Sequence, residues 1–253
     1  MGKYSHSKLS TFEQCKLKYK FRYVDKIKPE IEKTIEAYLG EIVHETLEWL
    51  YKKVLEKDIP SLDNTIVFFS ERWQGKFVPE ILIVRKELTE KDYFSKGVQF
   101  ILDYYLRHYP FNDNTLELEK KINLKLGEDE EHEISGFIDR LAFNEKTEEF
   151  EIHDYKTSST IPSREKIESD RQLALYSIAV KEIFGKEKKV CLIWHYLSFD
   201  QRICSRKTQE QLEELKKEII SIINKIEYEK EFPYTKSKLC DWCEYKPICP
   251  AWA

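Results

Sequence analysis

Glycine and proline are scarce in this chain, at 7 and 8 of 253 residues, which excludes collagen-like, linker-like and other low-complexity architectures. No apolar run comes near the roughly 18 residues that a membrane-spanning helix needs, so no membrane span is expected. The opening MGKYSHSKLS is polar and lacks the apolar stretch of a secretory leader. A cytoplasmic, reducing setting is therefore expected, and disulfides are not. An excess of either charge is also missing, since 42 Lys and Arg stand against 46 Asp and Glu, for a net charge of −4. That balance excludes a disordered polyion. It is silent about nucleic acid, because a basic cleft can sit inside an acidic protein.

What is present suits one large folded domain or two small ones, with 41% hydrophobic and 13% aromatic residues to build a core, and a single domain over residues 1–253 is expected. Ser10-Thr11-Phe12-Glu13 has the pattern of a capping box, with Ser10 as N-cap of a helix that carries Cys15 and the basic-aromatic run KLKYKFRYV. A second helix is predicted over 35–56, with Leu39, Ile42, Val43, Thr46, Leu47 and Leu50 at helical spacing. Residues 57–113 are helical and aromatic in character. From Leu116 the period shifts towards two, predicting strands over 116–126, 133–143 and 149–156. A helix over 170–184, a hairpin over 190–197 and 202–205, and a long helix opened by a Thr208–Gln211 capping box follow. This order of elements around one sheet predicts an α/β domain.

The most chemically loaded stretches are Gly136-Phe137-Ile138-Asp139-Arg140 and His153-Asp154-Tyr155-Lys156. Alternation along a strand puts Asp154, Lys156 and Ile152 on one face, and Tyr155 and His153 on the other. Asp139, on the neighbouring strand, can add a second carboxylate, and two carboxylates beside an ammonium suit a hard divalent cation and its water. Arg140 faces away from Asp139 and is expected in a salt bridge. Asp-x-Lys alone also describes an ordinary surface ion pair. Gln172 and Tyr176 lie four apart and so share a helix face, packed into the core or turned towards the cleft.

The ordered set of Gly40-x-x-x-His44, Gly136-x-x-Asp139, Asp154-x-Lys156 and Gln172-x-x-x-Tyr176 resembles the signature of the PD-(D/E)xK nuclease superfamily, in its RecB-like branch. The proline that often precedes the first aspartate is absent. The resemblance implies a restriction-endonuclease-like mixed sheet flanked by helices, with 57–113 as a helical insertion. It implies Mg²⁺ or Mn²⁺ bound by His44, Asp139, Asp154 and the Tyr155 carbonyl, with Lys156 as the catalytic lysine and Gln172 and Tyr176 orienting the site and touching DNA. An imidazole among carboxylates favours Mn²⁺. Glu119 is a further acidic candidate, with Glu117 competing for the role.

Cys191 and Cys204 fall in strand-like runs and read as small hydrophobes. Cys240-x2-Cys243-x5-Cys249 offers three thiolates and Cys15 a fourth; on local grounds the set suits zinc or an iron–sulfur cluster equally, with free buried thiols as the plain alternative. A single N-terminal cysteine, the nuclease motifs and then these three resemble the iron–sulfur nucleases, among them the CRISPR-associated RecB-type exonucleases and the AddB nuclease domain. That resemblance implies a [4Fe–4S] cluster on Cys15, Cys240, Cys243 and Cys249, joining residues 234–253 to the N-terminal segment. Trp242, Tyr245 and Trp252 are expected around it. The implied substrate is DNA, most plausibly single-stranded ends, with CRISPR-adaptation or helicase partners and oligomers known among relatives; a non-catalytic DNA-binding scaffold is the alternative. Part of the run 16–23 could meet phosphates or bases.

Overall fold

The computed structural model describes residues 2–31, 33–127 and 130–252. Strand β1 (Gly2–Tyr4) leads into α1 (His6–Gln14), a short α2 (Lys16–Tyr19) and a π-helical turn at Lys20–Val24. Three helices follow, α3 (Ile35–Leu55), α4 (Leu62–Lys76) and α5 (Glu90–His108). The sheet strands β2 (Thr115–Leu126), β3 (His132–Asn144) and β4 (Glu149–Lys156) come next, then α6 (Arg164–Glu168) and α7 (Arg171–Phe184). The hairpin β5 (Lys189–Tyr196) and β6 (Gln201–Ser205) and the helix α8 (Gln209–Glu227) follow, and short 3-10 turns at Lys238–Trp242 and Lys246–Ile248 come last.

The sheet runs β1-β3-β4-β5-β6, with β2 on the other edge of β3. It is mixed: β1 lies parallel to β3 and β4 parallel to β5, while the β2–β3, β3–β4 and β5–β6 pairs are antiparallel. One face packs on α1, α7 and α8 through Leu9, Phe12, Ile152, Leu175, Trp194 and the α8 stripe that includes Leu212, Ile219 and Ile223. The other face packs on α3, whose buried Leu39, Ile42, Val43, Leu47 and Leu50 form a second core with α4, α5, Tyr155 and Leu197. Residues 57–113 thus supply α4 and α5, which close over α3. Alternation along β4 divides the two cores, with Ile152 in the first and Tyr155 in the second.

Local chemistry sets the ends of these elements. The Thr34 hydroxyl caps α3 at the Ala37 N–H, and Thr208 and Gln211 form a reciprocal capping box on α8. The N-terminal cap departs from the sequence expectation. Ser5, not Ser10, caps α1 through the Lys8 N–H, while Ser10 lies within the helix against His6. Cys15 is not inside a helix either; its extended backbone (φ −162°) breaks α1 from α2. β1 and α6, of three and five residues, have too few residues for a period to declare them.

The basic-aromatic run 16–23 is committed internally. Lys16 pairs with Glu229, Lys18 (2.9 Å) and Arg22 (2.5 Å) with Glu244, and Tyr19 is buried against Phe12 and Phe232. These contacts fasten the N-terminal helices to the C-terminal segment.

At Gly97 α5 packs tightly on its neighbours, since a Cβ there would run into the Phe69 ring and Leu39. Gly97→Ala is expected to lower stability by about 1–3 kcal/mol through overpacking, read as a lower denaturant midpoint at unchanged slope; an unchanged midpoint would show that the three helices are not so tightly joined.

Candidate active site and cysteine centre

The catalytic candidates meet where two strands part. The β3–β4 ladder ends at the Arg140–His153 pair, although β4 continues along β5 to Lys156. Past that point the Tyr155 peptide has no partner on β3 and is taken up on that side by side chains. Its N–H donates to Asp139 Oδ2 at 3.1 Å, and its carbonyl accepts from His44 Nε2 at 2.7 Å. His44 Nδ1 lies 3.3 Å from the same Asp139 oxygen. One imidazole on α3 therefore ties a carboxylate of β3 to a carbonyl of β4.

On the neighbouring position of β4, Asp154 is 4% exposed and holds the Lys156 ammonium at 2.8 Å and 3.1 Å through its two oxygens. Lys156 also donates to Gln172 Oε1 at 3.2 Å, and Gln172 Nε2 donates to the Tyr176 hydroxyl at 3.3 Å. Gln172 is set by Asp170, whose carboxylate caps α7 at the N–H groups of Gln172 and Leu173 (2.9 and 3.2 Å). An Asp immediately before a helical pattern is a cap signal, so this residue was available to sequence reasoning and was missed. The structure brings together His44, Asp139, Asp154, Tyr155, Lys156, Gln172 and Tyr176. Glu119 joins them, lining one cleft with His44 and Asp139, whereas Glu117 is paired with Lys120.

The glycines of two motifs have steric causes. A Cβ on Gly136 would lie 2.6 Å from the Tyr176 ring, so only glycine lets that ring lie across β3. A Cβ on Gly40 would lie 3.2 Å from Thr157 Oγ1, at the point where α3 crosses the loop after β4.

The electrostatics follow from burial and crowding. Burial raises the Asp154 pKa against the attraction of Lys156, and Asp139 raises it further. Burial pulls the Lys156 ammonium down, but Asp154, Asp170 and Asp139 outweigh it and leave its pKa raised. Burial likewise works against His44, yet Asp139, Asp154 and the Tyr155 carbonyl lift it to about 9. Glu119, desolvated and facing Asp139 and Glu48, is raised to about 7. Behind the sheet Arg140 is fully buried, bonded to Asp113 (2.9 Å), Tyr155 Oη (3.2 Å) and His153 Nδ1 (2.8 Å).

Among the described residues, no group of three or more His, Cys, Asp or Glu side chains is arranged to hold a metal ion as it stands. The donors of the cleft nevertheless fit a divalent cation. Among the described residues the buried Asp154 Oδ2 is met by the Lys156 ammonium (2.8 Å) and by no other donor, and carboxylate, carbonyl and imidazole donors lie beside it.

The second centre lies at the joined chain ends. Cys15, Cys240, Cys243 and Cys249 line one small open cavity of about 50 Å³, together with Tyr245 and Trp252 but not Trp242. The N–H of Thr235 points at Cys15 Sγ (3.5 Å) and that of Ser237 at Cys240 Sγ (3.4 Å). Four sulfurs facing one space, with N–H donors aimed at two of them, fit a thiolate-bound metal group. Cys191 is buried and Cys204 exposed on the β5–β6 hairpin, remote from this set in the fold.

The His44 contacts predict a pH-dependent stability in metal-free protein. A histidine pKa raised from 6.5 to about 9 stabilises the fold fully below pH 6.5, and that contribution is lost as pH rises through about 9. The denaturant midpoint of the wild type is expected to fall over this window more steeply than that of His44→Gln; parallel curves would contradict the assignment.

No curated protein matches the chain. The solved structure named "Putative exonuclease" from Eubacterium rectale aligns over 96% of this chain and 87% of its own, at 15% identity and a TM-score of 0.55. SSO0001 aligns over 66% of this chain and 77% of its own, at 19% identity and a TM-score of 0.42. The first likeness shows the fold, a mixed sheet flanked by helices. The family model of the PD-(D/E)XK nuclease superfamily matches residues 3–250. With His44 and Asp139 lining one cleft, Asp154 and Lys156 paired on the adjoining strand end, and the match running nearly end to end, the chain belongs to the PD-(D/E)XK nuclease superfamily.

Proposed function

We propose that the protein is a divalent-metal-dependent DNA exonuclease of the RecB-like, iron–sulfur kind, cutting phosphodiester bonds at single-stranded ends in CRISPR adaptation or DNA repair. The observation that carries this reading is the Lys156 ammonium, held between the buried Asp154 carboxylate and Gln172. His44, Asp139, Asp154 and the Tyr155 carbonyl would hold Mg²⁺ or Mn²⁺, which when bound neutralises phosphate charge and makes water more acidic. Lys156 keeps its proton in this setting and places a positive charge where negative charge grows on the phosphorane oxygens. Gln172 fixes the direction of that ammonium, and Tyr176 fixes Gln172. Asp139 and His44 hold the Tyr155 peptide in place, so that its carbonyl faces the cleft. The intact acid–lysine pair speaks against a purely scaffolding subunit, in which the loss of one such group costs nothing.

For the cysteine centre the reading is a [4Fe–4S] cluster in a structural role, since closing a loop of more than 200 residues restrains the unfolded chain strongly. It joins ends that Lys18, Arg22 and Glu244 already hold together.

Lys156→Ala and Asp154→Asn are each expected to slow Mn²⁺-dependent digestion of end-labelled single-stranded DNA by about 10²–10⁴-fold, with folding intact; wild-type rates in either would refute the catalytic assignment. Anaerobically purified protein is expected to be brown with about four irons per chain, and Cys243→Ala to lose both colour and thermal stability. Stoichiometric zinc with no visible absorption would refute the iron–sulfur reading.

A further inference from the structure

A second groove adjoins the active-site cleft across Gly40. It lies between α3, α5, the segment before α5, the loop after β4 and the turn joining β5 to β6, and it holds about 310 Å³. Thr157, the residue after Lys156, lines its wall and also faces Gly40, which lines the catalytic cleft together with His44. The two spaces are therefore separated by a helix that carries no side chain at the crossing point.

The groove has the chemistry of a nucleic-acid path. Arg85 reaches in and donates to Ser159 Oγ at 3.2 Å, and Lys96 lies over the Tyr93 ring at 4.8 Å. Among the described residues neither forms an ion pair, whereas the cations of the run 16–23 are all paired. Phe199, on the opposite lip, is 42% exposed. One carboxylate, Glu36, lines the groove, and it accepts the Tyr93 hydroxyl at 2.8 Å. Two free cations and a bare ring, lining a groove whose wall includes Thr157, the residue after Lys156, match a phosphate backbone with unpaired bases to stack.

We propose that this groove binds the single-stranded DNA next to the bond being cut, with Arg85 and Lys96 on successive phosphates and Phe199 stacked on a base. The inference rests on the nuclease reading above and names the path its substrate takes. A duplex presents no free base face to Phe199, so the groove selects a single strand.

The test is fluorescence anisotropy with a fluorescein-labelled dodecamer of oligo(dT), without divalent cations so that nothing is cut. Arg85→Ala/Lys96→Ala is expected to weaken binding at least about 10-fold and to lower the slope of log affinity against log salt by about 1.4, at about 0.7 per phosphate contact. Phe199→Ala is expected to weaken binding at least about 5-fold with the slope unchanged. Wild-type affinity and slope in these variants, or a wild type that does not bind, would overturn the proposal. Digestion of the same strand in Mn²⁺ is scored separately. A wild type that binds through the groove but does not cut would refute the nuclease reading alone, and one that cuts while the variants bind normally would refute the groove alone.

Discussion

The site depends on a single parting of strands. Had β3 and β4 stayed paired beyond Arg140 and His153, the Tyr155 amide and carbonyl would be consumed by the ladder. Because the strands separate, both groups must find side chains, and Asp139 and His44 supply them at 3.1 and 2.7 Å. Satisfying a stranded peptide and assembling the proposed ligand set are the same event here. The β4–β5 pairing continues to Lys156 and keeps Asp154 and the lysine in fixed alternation while the other edge opens.

What holds the strands open is distributed over both faces. Tyr155 projects into the α3–α5 core, where its hydroxyl meets Tyr104 (3.2 Å) and the buried Arg140 guanidinium. Arg140 in turn lies over the Tyr51 ring and bonds Asp113, so a charge with no exposure is fully engaged. On the first face, Tyr176 fills the space that Gly136 leaves empty and steadies Gln172 against the lysine. The two cores thus press on opposite sides of one strand end, and α4 and α5 contribute to the site through this packing rather than through catalytic groups.

Much of this was legible because period and motif agree. The strands over 115–126, 132–144 and 149–156 and the α8 stripe appear where alternation and helical spacing put them, and the face assignments of Asp154, Lys156, Tyr155 and Ile152 hold. The illegible parts have physical reasons. Ser10 mimics a cap, but Ser5 sits before the helix and takes the role, a choice that depends on where β1 docks on β3. The run 16–23 looks like a phosphate-binding surface in sequence, and only the fold reveals that Glu229 and Glu244, more than 200 residues away, neutralise most of it. Arg85, Lys96 and Phe199 belong to no motif, since their joint placement is a product of tertiary packing. Glu119 and Glu117 are indistinguishable in a one-dimensional pattern; the positive φ of 45° at Glu119 belongs to the one that lines the cleft.

The central claim is that one ion can be shared by groups drawn from α3, β3 and β4. An anomalous-scattering map from crystals soaked in Mn²⁺ addresses it directly. The account requires a peak about 2.0–2.4 Å from His44 Nε2, a carboxylate oxygen of each of Asp139 and Asp154, and the Tyr155 carbonyl. A manganese peak elsewhere, with this cleft lacking one at saturating Mn²⁺, would contradict it.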